Sequence, residues 1–160
     1  MLAALNQTLL LVGRMNYVWT NTESLFIYLI AQLMGTSKQA AIVVFLTLNT
    51  TRARLDLITR LAKLPSTQPE DRTAVLAFAE RLGRESGVRN KLNHCIYSFD
   101  ETGAASTQLM RIADVGDDVR YGKVELLDDT ELQRLNAAIE RIAAVNRDIW
   151  AYIRSHGITP

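Results

Sequence analysis

The sequence predicts an all-α fold, a four-helix bundle with a short β-hairpin inserted before the last helix. Three observations carry this expectation. Nearly half of the 160 residues are apolar (48%), enough for a real core in one domain spanning residues 1–160. Only three prolines and eight glycines interrupt a chain rich in Ala and Leu, residues that favour helices. Apolar side chains also recur at three- and four-residue steps along four long blocks.

The first block covers about residues 2–34. Leu2, Leu5, Leu9, Val12, Trp19, Phe26, Ile30 and Leu33 form its stripe, with Asn16 and Glu23 as polar residues on the same line. Thr20-Asn21-Thr22-Glu23 has the form of a capping box that restarts a second helix. One kinked helix and two shorter ones both satisfy the pattern. The second block, 38–64, opens after the N-cap residue Ser37, carries Ala41, Val44, Phe45, Leu48, Leu55, Ile58 and Leu61, and stops before Pro65. The third, 69–98, begins at Pro69, a favoured first-turn residue, and runs through Val75, Phe78, Ala79, Leu82, Arg89, Leu92 and Ile96. Between 106 and 126 the chain has strand character on either side of Gly116-Asp117-Asp118, which can turn a hairpin. The last block, 129–155, opens with the capping sequence Asp128-Asp129-Thr130-Glu131 and ends towards Gly157 and Pro160.

Composition narrows the function classes. A single cysteine, Cys95, excludes an internal disulfide framework and agrees with a reducing compartment. No basic residue precedes the apolar N-terminal residues, so they do not read as a secretory signal. The most membrane-like stretch, 25–48, is split by Gly35-Thr36-Ser37-Lys38-Gln39 into pieces too short to span a bilayer. A cytoplasmic protein with no membrane partner is expected. The net charge is +1, but its distribution is uneven. Residues 38–97 hold ten Lys/Arg against five Asp/Glu, an excess of +5; residues 98–160 hold seven against eleven, an excess of −4. Contact with RNA would therefore need a local patch rather than a global field.

One segment stands out for chemistry, Arg89-Asn90-Lys91-Leu92-Asn93-His94. On a continuous helix Asn90 and His94 lie one turn apart on one face, and Arg89 lies about 140° from His94 around the axis. Arg89 also falls on the apolar line of Phe78, Leu82 and Ile96, where a charge is costly unless it is paired or lines a wet cleft. The bland alternative is an ordinary surface pair with Glu85, with Gly83 and Gly87 rotating Arg89 outward and His94 acting as a hydrogen-bonded core residue. His156, near the C-terminus, reads as incidental.

The pattern Arg89-Asn90-x-x-x-His94 resembles the signature of the HEPN superfamily of helical domains. A small residue after the histidine and an aromatic two positions later, here Cys95 and Tyr97, resemble many bacterial members. Two helices before the motif, a variable strand-like insertion and a closing helix extend the resemblance in architecture. It implies a metal-independent endoribonuclease, working as a homodimer with facing motifs, and serving as a toxin or defence effector. His94 would be general base or acid, a role suited to imidazole. Arg89 would bind the scissile phosphate, and Asn90 would orient His94 or contact RNA. The expected product is a 2′,3′-cyclic phosphate. No cofactor is implied, and no Cys/His cluster is present to hold zinc. Glu23 would support the site by pairing with Arg89, or else cap a helix. An antitoxin-like protein is a further implied partner. The tyrosine that some HEPN toxins carry two residues after the histidine is replaced by Ile96, with Tyr97 one position later. The family also holds members that bind partners or nucleotides without cleaving, so a non-catalytic helical module is the alternative.

Overall fold

The structure is a computed structural model that describes residues 2–159, without the Leu2 side chain. The Leu2 end of the first stripe and the Pro160 stop thus lie outside the described residues. Six helices and five strands are present among the described residues: α1 (Leu2–Glu23), α2 (Phe26–Met34), α3 (Lys38–Thr47), α4 (Thr51–Ala62), α5 (Pro69–Asn93), β1 (Cys95–Phe99), β2 (Ala105–Leu109), β3 (Ile112–Val115), β4 (Asp118–Tyr121), β5 (Val124–Leu126) and α6 (Asp129–Ser155). The expected all-α four-helix bundle with one hairpin does not form. The first block takes the form of two shorter helices, one of its two expected alternatives; the second block also divides, the third ends early, and the insertion is a β region of two antiparallel sheets.

Each departure has a local cause. The first block divides at Ser24-Leu25, where Leu25 N–H bonds to the Thr22 carbonyl (3.1 Å), a tighter turn than the α-helix uses. The N-cap position of α2 is Leu25, which has no side chain able to cap, so the expected capping box is not made. The second block divides because Thr50 caps α4, its side chain accepting from Ala53 N–H (3.1 Å). The third helix ends at Asn93 instead of continuing to 98. Beyond it, Cys95-Ile96-Tyr97-Ser98-Phe99 alternates in burial as a strand does, and Ile96 is exposed rather than in the core. Ser37 and Asp128 cap α3 and α6 as their sequence suggests, accepting from Ala40 N–H (3.2 Å) and Glu131 N–H (2.9 Å).

The described chain clusters into two compact units. The first contains the chain up to Tyr17 together with Gly87–Glu140. Its core includes Leu11, Met15, Leu92, Ala105, Leu127, Leu135 and Ile139. Here the buried face of α1 is Thr8, Leu11 and Met15, while Leu9 is exposed, so the expected stripe is out of phase in this part of α1, although its later members Trp19, Phe26 and Ile30 are buried. Sheet order is β1-β2-β5, antiparallel, with Cys95 opposite Leu109 and Ser106 opposite Leu126. A separate two-stranded sheet pairs β3 with β4, Ile112 opposite Tyr121 and Val115 opposite Asp118. Gly116 starts its turn at φ 62°, a conformation that costs glycine little. Gly122, just after β4, is constrained differently. A Cβ there would sit 2.1 Å from the Leu109 carbonyl oxygen, so only glycine lets the hairpin return this close to β2.

The second unit contains Val18–Ser86 and the chain from Arg141 onward. Trp19, Phe26, Leu29, Ile30, Ile58, Val75, Leu82, Ile142, Ile149 and Ile153 are almost wholly buried in its core. Among the described residues no helix is long and apolar enough to cross a membrane.

Candidate functional site

The first unit holds the Arg89–His94 segment at the C-terminal end of α5. His94 occupies the turn between α5 and β1 rather than the middle of a helix. Its backbone is held on both sides: its N–H bonds to the Asn90 carbonyl (3.0 Å), and its carbonyl accepts from Met110 N–H (2.8 Å). The imidazole itself is exposed, which removes the reading of a core histidine.

The end of the helix is fastened by the strand that follows. Tyr97 Oη donates to the Leu92 carbonyl (2.7 Å), one of the terminal carbonyls that a helix leaves without an internal partner. Burial, reinforced by neighbouring Cys95, pushes the Tyr97 hydroxyl above the ordinary tyrosine range. A hydroxyl so engaged positions the segment rather than reaching into solvent.

His94 and Asn90 line one open groove of about 590 Å³. Lys91, Arg111, Arg134 and Glu125 line it too, with apolar contributions from Leu109 and Met110. Four segments therefore converge: the end of α5, the β2–β3 connection, β5 and the first turns of α6. Three cations line the groove, but Lys91 pairs with Glu125 and Glu131 and Arg134 with Glu131 (3.5 Å), which leaves Arg111 as the lining cation without an ion pair among the described residues. Arg89 is half-buried and stands outside the lining; its Nη1 donates to Asn90 Oδ1 (3.1 Å). The motif thus divides into a groove-facing pair, Asn90 and His94, and an arginine that holds Asn90.

Lys91 fixes the groove floor. Its ammonium bonds to Glu125 on β5 and to Glu131 on α6 (2.9 Å). Burial acts to lower the Lys91 pKa, but the hydrogen bonds to the two carboxylates outweigh it and raise the value above 10.5. The same contact lowers the Glu125 pKa below its ordinary 4.5. The signs set a pH window. A raised lysine contributes stability that is present below pH 10.5 and lost as pH climbs through its folded-state pKa. A depressed carboxylate contributes stability that is present above pH 4.5 and lost as pH falls through its folded-state pKa. Lys91→Met is expected to lower the urea midpoint at pH 7 and to flatten both the acid and the alkaline limbs. A midpoint unchanged across that range would show that Lys91 holds nothing.

Glu23 belongs to the second unit and has other partners. It is 6% exposed and accepts from Thr51 Oγ1 (2.7 Å) and Arg54 Nη1 (2.9 Å). Neither of its expected roles, pairing with Arg89 or capping a helix, is what these contacts describe. Glu85 is likewise no surface partner for Arg89: it is buried and takes a two-pronged contact from Arg141 (2.6 and 3.0 Å). His156 is also placed, stacked on Tyr152 with its Nε2 2.9 Å from Asp71 Oδ1. Among the described residues no group of three or more His, Cys, Asp or Glu is arranged to hold a metal ion.

Reasoning from sequence missed Lys91, Arg111 and Arg134 as groove residues. Lys91 sits inside the motif, one helical position from Asn90, and its proximity was a usable signal. Arg111 and Arg134 come from separate elements, and only the folded chain brings them to His94. In comparisons with known proteins, no protein-family model matches this sequence, no curated protein matches it, and no solved structure matches its fold.

Proposed function

We propose that this protein is a metal-independent endoribonuclease of the HEPN type, acting through His94. One observation carries the reading: the exposed imidazole and the Asn90 amide share a groove furnished with Lys91, Arg111 and Arg134. Imidazole can take a proton from a ribose 2′-hydroxyl as that oxygen attacks the adjacent phosphorus. The P–O5′ bond then breaks, the 5′-oxygen leaves with a proton, and a 2′,3′-cyclic phosphate remains. Arg111, which has no ion pair among the described residues, is the groove cation best placed to meet the phosphate whose charge grows in the transition state. Arg89 stands outside the groove lining and holds Asn90 towards it, so its role in this reading is to position Asn90.

Each chain supplies one histidine to the groove, whereas the reaction moves one proton off and another on. A homodimer with facing grooves provides both, and a toxin or defence effector that cuts cellular RNA is the biology that fits. The test is incubation of the purified protein with mixed single-stranded RNA in EDTA, with end analysis of the products. Cleavage leaving 2′,3′-cyclic phosphate and 5′-hydroxyl ends is expected. Products with 3′-hydroxyl ends, or intact RNA at all protein concentrations, would reject the mechanism.

A second reading is favoured by one observation: the His94 ring makes no hydrogen bond among the described residues, so no neighbouring group fixes its tautomer. In a non-catalytic module for partners or nucleotides, the groove binds and His94 contributes only contact. RNA retained without cleavage in the same assay is the result that module predicts.

A further inference from the structure

The groove does not end at His94. Arg111 lines both it and a second groove of about 450 Å³ on the β3–β4 hairpin, where Arg120 and Lys123 also stand. The register explains the alignment. Ala113 lies opposite Arg120, and Gly122 N–H bonds to the Arg111 carbonyl (2.8 Å), extending the ladder by one pair. Side chains alternate along a strand, so Arg111, Ala113 and Val115 share a face with Arg120 across the pair. Arg111 and Arg120 are then diagonal neighbours, about 7–8 Å apart.

Both guanidinium groups are exposed, and neither has an acidic partner among the described residues. The hairpin has carboxylates available, but Asp114 projects to the opposite face. Asp118 shares the face at its tip, opposite Val115, without forming an ion pair with Arg120. Two like charges held side by side, neither of them in an ion pair, do nothing for folding. They suit an extended polyanion whose successive charges need neutralising.

We infer that Arg111 and Arg120 form a track that holds single-stranded RNA as it leaves the His94 groove. This rests on the ribonuclease reading for the polarity of its use, though not for its chemistry. Single-stranded rather than duplex RNA is the occupant because a 2′-hydroxyl must swing into line with the leaving oxygen, which stacked A-form geometry resists. A basic groove that follows the backbone is also how proteins hold single strands without regard to sequence.

The probe is a mixed-sequence single-stranded RNA of about twenty nucleotides, 2′-O-methylated throughout so that it cannot be cut. Affinity is measured on the full chain over a range of salt. The double variant Arg111→Ala/Arg120→Ala is expected to bind about tenfold more weakly at low salt. The slope of log affinity against log salt should shrink by about 1.4, from about 0.7 per phosphate contact on a single strand. Arg60→Ala/Arg147→Ala removes the same charge from exposed helix positions of the other unit and should leave binding unchanged. Arg111→Lys/Arg120→Lys should restore most of the affinity and so exclude a folding defect. Equal loss in both alanine pairs, or no loss in either, overturns the track. If RNA is held through Arg111 and Arg120 but never cleaved, the track stands and the ribonuclease reading falls. If cleavage depends on His94 while the arginine pair does not affect binding, the reverse holds.

Discussion

Replacing His94 by alanine is expected to lower RNA cleavage by about 10²- to 10⁴-fold, the range set by removing a general acid–base group. Stability should move by less than about 0.5 kcal/mol, as for a surface residue without special contacts. The structure makes this separation sharp. The His94 ring is exposed and makes no hydrogen bond among the described residues, while its backbone bonds to Asn90 and Met110 do not depend on the side chain. Binding of the methylated RNA should persist, because the groove keeps Lys91, Arg111 and Arg134. Single-turnover cleavage, urea unfolding and binding on one preparation check all three. A variant that cleaves as fast as the parent removes His94 from the chemistry. A variant that unfolds early makes the residue structural. The proposed homodimer adds a further condition. Mixing excess His94→Ala protein with the parent should suppress cleavage beyond simple dilution, because mixed pairs lack one of the two histidines.

The motif was legible in the sequence because it is local. Asn90 and His94 are four residues apart on one helical turn, and the Asn90–His94 backbone bond preserves that phase to the end of α5. The helix end is not legible because Leu92 and Ile96 continue a four-residue spacing, while the same residues satisfy the two-residue period of a strand. Tyr97 settles the choice by tying its hydroxyl back to Leu92, a contact no periodicity encodes. The interruption before α4 carried a readable signal, Asn49-Thr50-Thr51, which the apolar stripe on either side overrode. The glycine-led turn signal at Gly116 suggests a single hairpin in the β region. Asp100 was the missed turn former: its Oδ1 accepts from Thr102 N–H (2.9 Å) and Ala104 N–H (2.9 Å) and folds β1 back onto β2. The groove cations were beyond reach because their meeting at His94 depends on sheet register and on the close approach at Gly122.

Replacing Glu23 by alanine should act in the opposite way, on stability rather than on chemistry. Glu23 is 6% exposed, and its carboxylate receives two charge-assisted bonds, from Thr51 and Arg54. Removing one member of a buried ion pair costs about 3–5 kcal/mol, chiefly by stranding the other charge. Here the lower end applies. The Arg54 side chain keeps 18% exposure, its Nε still donates to the Phe45 carbonyl (3.3 Å), and its guanidinium still lies over the Phe45 ring at 4.2 Å. An expected loss of about 3 kcal/mol corresponds to a melting point lower by about 6–12 °C in a chain of this length. The double variant Glu23→Ala/Arg54→Met should recover part of that loss, because no buried charge is then stranded. Cleavage measured well below the lowered melting point should stay within about twofold of the parent, since Glu23 contacts α4 rather than the groove. A Glu23→Ala protein that melts normally but cuts RNA a hundredfold more slowly would return Glu23 to the catalytic apparatus and overturn its assignment as the buried anchor of Arg54.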